Sequence, residues 1–118
     1  MGPAPRTYQP GEVLVVAHRG ASEDAPEHTT HAYDAALAQG ADSIEVDLRL
    51  TRDGVLVCWH DETLERIAGM SAAVGDLTLD ELRGLDVGSW FNRAHPERAR
   101  PQFVGAQVVT FAQQLERQ

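Results

Sequence analysis

The chain has a single cysteine, Cys58, so no internal disulfide can form. Paired-cysteine spacing is absent, which excludes a zinc finger or ribbon. The thiol lies in a strand-like run and reads as a buried, inert side chain. No stretch approaches the ~20 consecutive apolar residues that a membrane-spanning helix requires. The opening Met1-Gly2-Pro3-Ala4-Pro5-Arg6 has no apolar signal-peptide core, and no serine or threonine stands at the sixth place. A cytoplasmic location is the resulting expectation. Positive charge is also scarce, with 10 Lys+Arg against 18 Asp+Glu and a formal net charge of -8. That balance excludes nucleic acid as a partner and argues against holding an anionic membrane surface by charge alone. A small phosphate ester is compatible where a cation and an arginine reverse the sign locally. Internal repeats and low-complexity tracts are lacking.

What is present is the composition of one globular unit: 118 residues, 42% apolar and 24% charged. Residues 1–12, rich in proline and glycine, read as a flexible lead-in, and residues 13–118 as structured. A strand is expected over 13–18 and a helix over 30–39 that places Tyr33, Ala36 and Leu37 on one face, with Gly40 as its stop. A strand over 43–50 and a second β run from Val55 to Trp59 flank Asp53-Gly54, a turn signal. So short a link forces antiparallel pairing, which brings His60 back to within a residue or two of Asp47. Thr78 with Glu81 forms a capping-box pattern, with Leu77 and Leu82 as a staple and Gly84 as the end of a short helix. Gly88 to Phe91 and Pro96 to Pro101 read as irregular. Thr110 with Gln113 announces a last helix to Glu116. Strand, helix, hairpin, helix, helix is an α/β order.

The ionisable residues carry the chemical interest. Side chains alternate along a strand, so Glu45, Asp47 and Arg49 share one face, opposite a core face of Ile44, Val46 and Leu48. Glu45 and Asp47 are read either as a solvated sheet face or as oxygen ligands for a hard divalent cation. His18 closes the first strand, either as an ordinary hydrogen-bonded residue or as part of a site. In His18-Arg19-Gly20, arginine suits a phosphate and glycine lets the backbone approach a ligand closely. His60 gains weight from the hairpin. His28 and His31 are expected at the surface, because no neighbouring ligand completes a metal set. His95 has no evident partner, and Trp90 and Phe91 read as a plug over the core.

Taken together, these residues resemble the glycerophosphodiester phosphodiesterase family. The matching segments are Ala17-His18-Arg19-Gly20, Ala25-Pro26-Glu27-His28-Thr29, Gly40 to Asp47, Thr51-Arg52-Asp53-Gly54-Val55 and His60-Asp61-Glu62-Thr63-Leu64-Glu65-Arg66. Leu77-Thr78-Leu79 and Leu85 to Phe91 also fit, so the likeness runs through nearly the whole chain from Val13. The resemblance implies a TIM-barrel fold (the phosphatidylinositol-phospholipase-C-like type), present as its N-terminal portion. It implies hydrolysis of a small glycerophosphodiester to glycerol 3-phosphate and an alcohol. It also implies His18 and His60 as the acid/base pair, Glu45 and Asp47 as ligands of Mg2+ or Ca2+, and Arg19 as the phosphate contact.

Two departures accompany the likeness. His28 stands where the family usually has asparagine. A TIM barrel has about 250 residues and eight strands, and the family's next strand carries a further acidic ligand and a lysine that this sequence does not include. Three readings follow: an enzyme seen as a fragment, a barrel completed by another chain, or a non-catalytic remnant that binds phosphate or cation. Unfinished barrel edges leave self-association open.

Overall fold

The computed structural model describes residues 16–116. The lead-in over 1–12 and the first strand's start at 13–15 lie outside the described residues. Strand β1 (Val16–His18) runs parallel to β2 (Ser43–Glu45), with Val16, Ala17 and His18 facing Ser43, Ile44 and Glu45. Helix α1 (Thr30–Ala38) makes the crossover that parallel neighbours require. Thr29 caps it by accepting the Ala32 N–H at 3.3 Å. Gly40, at φ +79°, closes the other end by donating to the Leu37 carbonyl. The buried face is Ala32, Tyr33 and Ala36, while Leu37 is 50% exposed. The apolar stripe thus lies slightly earlier than the expected Tyr33, Ala36 and Leu37.

The strand expected over 43–50 is broken. After β2 the chain passes through Val46 and Asp47 and resumes as β3 (Leu48–Leu50), antiparallel to β4 (Leu56–Cys58). The break is a change of partner: one half pairs with β1, the other with β4. Leu48, expected in the core, is consequently 37% exposed, whereas Ile44 and Val46 pack against Tyr33, Cys58 and Val109. The hairpin itself forms as Asp53-Gly54 predicts. Thr51 Oγ1 donates to Asp53 Oδ1 at 2.6 Å and accepts the Val55 N–H at 2.9 Å. Beyond β3, the Trp59 N–H donates to the Asp47 carbonyl at 2.9 Å and extends the pairing toward His60. The other edge of β4 meets the chain's last segment, where the Cys58 N–H donates to the Val109 carbonyl at 2.8 Å.

The main core gathers Val57, Trp59, Leu64, Ile67, Val74, Leu77, Leu82, Val87 and Val108. Leu64 and Ile67 come from a small antiparallel unit that the sequence pattern did not announce: β5 (Thr63–Leu64), α2 (Glu65–Ala68) and β6 (Met70–Ala73). Helix α3 (Leu79–Arg83) carries the expected Thr78–Glu81 capping box and ends at Gly84. Helix α5 (Phe111–Glu116) is capped by Thr110 and Gln113 as expected. Gly88 to Phe91 is not irregular, since α4 spans Ser89–Ala94. The Asp86 carboxylate starts it by accepting the N–H groups of Gly88 at 2.9 Å and Ser89 at 2.8 Å. Burial works against that charge, but these hydrogen bonds and that of the Ser89 hydroxyl hold the carboxyl down at about 2. Pro96–Arg98 and Pro101–Phe103 form single 3-10 turns. Phe91 is fully buried and meets Phe103 edge-on, the expected plug.

Gly88 has no room for a side chain. A Cβ there would lie 1.9 Å from the Phe103 carbonyl oxygen and 2.8 Å from Ala106 Cβ. Gly88→Ala is therefore expected to cost about 1–3 kcal/mol through overpacking, read as a shift in the urea unfolding midpoint. An unchanged midpoint would mean that α4 and the 103–106 segment do not touch.

Candidate active site

The parallel register sets the first contact. His18 ends β1 opposite Glu45 at the end of β2, and His18 Nε2 lies 3.0 Å from Glu45 Oε2. Both side chains face solvent, at 58% and 38% exposure. Asp47 sits between β2 and β3, and its carboxylate turns toward the loop after β1. It accepts a hydrogen bond from His28 Nε2 at 3.1 Å and is ion-paired with Arg19, whose Nε lies 3.5 Å away. The Glu45 side chain lies near enough to act on its carboxyl. Burial works against the Asp47 charge, but the His28 hydrogen bond, with smaller help from Glu45 and from His60 at a distance, outweighs it and holds the group below its usual range.

His28 is not at the surface. It is 3% exposed, with Nδ1 2.6 Å from the Tyr33 hydroxyl and Nε2 on Asp47. Burial outweighs the nearby carboxylates and holds its imidazole below the usual value. Tyr33 is fully buried, and its phenol, raised by that burial, stays protonated and also touches the Cys58 thiol. Cys58 is 1% exposed and its thiol is raised by burial, in line with an inert side chain. His31 is partly buried against Phe103, with ring centroids 5.2 Å apart. His95 stacks on Phe91 at 4.8 Å.

His60 follows β4 and is held at its backbone. The Arg49 guanidinium donates to its carbonyl at 2.9 and 3.1 Å. Its Nδ1 lies 2.8 Å from Asp61 Oδ1. Thus the contacts of Asp47 link the segments that carry Arg19 and His28, while His18 meets Glu45 two residues before it.

Arg19 and His28 both adopt positive φ, at 57° and 56°. Non-glycine residues pay for this conformation, and such strain gathers at functional loops. Gly20, at φ +83°, allows a close approach, but to α1: a Cβ would lie 2.8 Å from the Ala32 carbonyl carbon. Arg19 Nη1 reaches Glu27 at 3.3 and 3.4 Å, and its buried Nε makes no hydrogen bond.

Glu27 and Arg66 are the residues that sequence reasoning missed. Glu27 is 7% exposed and receives Arg66 Nη1 at 2.8 Å and Nη2 at 3.0 Å. Arg66 also donates to Asp61 through Nε at 2.9 Å and Nη2 at 3.1 Å. Asp61 is held at about 2, first by Arg66 and then, against burial, by His60. Glu27 and Arg66 both fall in the segments that carried the family resemblance, which was the available signal for them. Their 39-residue separation gives no local pattern.

The donor chemistry suits a hard cation. Two neighbouring carboxylates repel unless a proton or a cation stands between them, and both are open to solvent on one side. Among the described residues, no group of three or more His, Cys, Asp or Glu is arranged to hold a metal. Glu45 and Asp47 therefore fit as a pair that leaves other positions to water or substrate oxygens.

Comparison with known proteins gives the relationship. Residues 18–118 match the model of the glycerophosphoryl diester phosphodiesterase family. The chain is 49% identical over 108 residues to a glycerophosphodiester phosphodiesterase of Bacillus subtilis, covering 92% of this chain and 37% of that protein. The glycerophosphodiester phosphodiesterase structure from Agrobacterium tumefaciens superposes with a TM-score of 0.78 at 42% identity, covering 90% of this chain and 42% of that one. A phosphodiesterase from Oleispira antarctica, solved with the product sn-glycerol-3-phosphate, gives 0.77 at 32% identity, covering 88% and 39%. These neighbours are TIM barrels, and this α/β chain takes the N-terminal portion of that fold. With residues 18–118 of this chain matched by the family model, the chain belongs to the glycerophosphoryl diester phosphodiesterase family.

Proposed function

We propose that this chain carries the acid/base and cation-binding portion of a site that hydrolyses glycerophosphodiesters to glycerol 3-phosphate and an alcohol. The observation that supports it best is the contact of His18 with Glu45 at 3.0 Å, with Asp47, two residues further on, ion-paired to Arg19 at 3.5 Å. Arg19 is the phosphate contact, with an Nε that is ion-paired to Asp47 and makes no hydrogen bond among the described residues. One of His18 and His60 takes the proton of the attacking oxygen as its bond to phosphorus forms. The other gives a proton to the departing alkoxide as its bond to phosphorus breaks. Glu45 and Asp47 would hold Mg2+ or Ca2+, which supplies neutralisation of the phosphate charge and of the further charge developed in the transition state.

Asp47→Asn is expected to weaken Mg2+ or Ca2+ binding at least about tenfold, measured by calorimetric titration. Equal affinity in the variant and the parent would remove Asp47 from the cation site. The function itself is tested by incubating the chain with glycerophosphocholine and either cation, and measuring glycerol 3-phosphate release. Cation-dependent release that requires His18 and His60 supports the proposal.

A second reading is a remnant that binds phosphate or cation without turnover. That no group of three or more His, Cys, Asp or Glu among the described residues is arranged to hold a metal favours it. Cation binding by a folded chain that releases no product would select it. Self-association is a further proposal, supported by Leu50 and Leu56, which face one another on the hairpin at 56% and 39% exposure. Sedimentation reports it directly. No helix among the described residues is long and apolar enough to cross a membrane.

A further inference from the structure

We propose that Arg66 is a positioning residue for His60. Clamped to buried Glu27, it fixes the Asp61 carboxylate that holds the His60 ring with Nδ1 protonated. This rests on the reading of His60 as an acid/base group.

Glu27 is the anchor of this chain of contacts. It belongs to the loop after β1, is almost wholly buried, and takes two parallel hydrogen bonds from Arg66 at 2.8 and 3.0 Å. Such two-pronged pairs define an orientation as well as a charge contact. The Trp90 ring completes the seat, with the Arg66 guanidinium carbon 5.5 Å from its centre. The guanidinium then has its Nε and Nη2 edge left for Asp61, and both reach it, at 2.9 and 3.1 Å. Asp61 is therefore not free to rotate. Its Oδ1 lies 2.8 Å from His60 Nδ1.

A carboxylate held by a guanidinium only accepts hydrogen bonds. Nδ1 must therefore carry the proton whenever the ring is neutral. Nε2 is left with a free electron pair, ready to take a proton or, once protonated, to give one. The Arg49 guanidinium fixes the same residue at its carbonyl. His60 is thus held by an arginine on its main chain and, through Asp61, by an arginine on its ring. A carboxylate that selects the tautomer of a catalytic histidine in this way can govern turnover without touching substrate. Arg66 does so from one residue further off, and it ties the loop after β1 to the segment after β4.

The test is nitrogen NMR of the imidazoles in the 118-residue chain, at a pH well above the ordinary imidazole range. His60 is assigned by loss of its signals in His60→Gln. The parent protein is expected to show His60 almost entirely as the Nδ1–H form. Arg66→Gln is expected to lose this preference and give a mixture of the two tautomers, while His31 and His95 keep their signals. Arg66→Lys, which keeps the charge but not the fork, is expected to behave like Arg66→Gln. Where either variant loses its native amide spectrum, Asp61→Ala decides, because it leaves the Glu27–Arg66 pair in place. A tautomer unchanged in folded Arg66→Gln, or in Asp61→Ala, overturns the proposal.

Turnover separates this outcome from that of the function. In an active protein Arg66→Gln is expected to lower kcat about 10²-fold with KM little changed. A shifted tautomer with no effect on turnover would uphold the positioning and refute His60 as an acid/base group.

Discussion

Replacing either His18 or His60 with alanine is expected to cut glycerophosphodiester turnover by about 10²–10⁴-fold, with the native fold retained. The size follows from the proposed division of labour. The attacking oxygen must lose a proton and the departing alkoxide must gain one, and water alone performs neither transfer as well as a placed imidazole. Stability is expected to move by no more than about 0.5 kcal/mol, because the His18 side chain is 58% exposed and that of His60 is 44% exposed. The double variant is expected to lose little beyond the worse single one, since the two groups act in one reaction. Kinetics and thermal melts on the same preparations check both halves. Full turnover in either single variant contradicts the assignment.

Glu27→Ala is expected to destabilise the protein by about 3–5 kcal/mol. The carboxylate is buried between two guanidinium groups, with Arg66 at 2.8 and 3.0 Å and Arg19 at 3.3 Å. Removing it leaves two cations facing each other without their common partner. Arg52→Ala provides the contrast. The pair it forms with Glu81 is open to solvent, at 61% and 51% exposure, and its loss is expected to cost less than about 1 kcal/mol. Urea unfolding of the two variants measures the difference, and similar losses would contradict a buried anchor at Glu27. The neighbouring Asp61–Arg66 pair adds an acid dependence. Asp61 is held at about 2 in the folded chain, below its ordinary value of about 3.9. Its contribution is complete above the ordinary value and is lost as pH falls through about 2.

The sequence was most informative where local chemistry decides local structure. Asp53-Gly54 predicted the hairpin because a tight turn needs a residue at positive φ, and Gly54 supplies it at +80°. Thr78 with Glu81, and Thr110 with Gln113, marked two helix starts because their partners lie within four residues. His18 and Glu45 could be named from strand ends, and the parallel register then sets them side by side. Tertiary pairing explains the rest. Ile44, Val46 and Leu48 alternate as one strand would, but β2 and β3 pair with different neighbours and the chain breaks between them. Helix α4 was hidden because Asp86, three residues before Ser89, starts it instead of a residue at the usual cap position. His28 read as a surface residue because its two partners are 5 and 19 residues away. Only the crossover through α1 brings Tyr33 and Asp47 to it. Glu27 and Arg66 meet across 39 residues for the same reason.

The central claim is that one cation bound at Glu45 and Asp47 has both acid/base histidines beside it. Titration with Mn2+, a paramagnetic substitute for Mg2+, tests it most directly through line broadening of the five histidine side chains. His18, His28 and His60 are expected to broaden at low Mn2+, His31 and His95 to stay sharp, and Glu45→Gln with Asp47→Asn to abolish the effect. Broadening that spares His18 or His60, or that survives the double substitution, would contradict that claim.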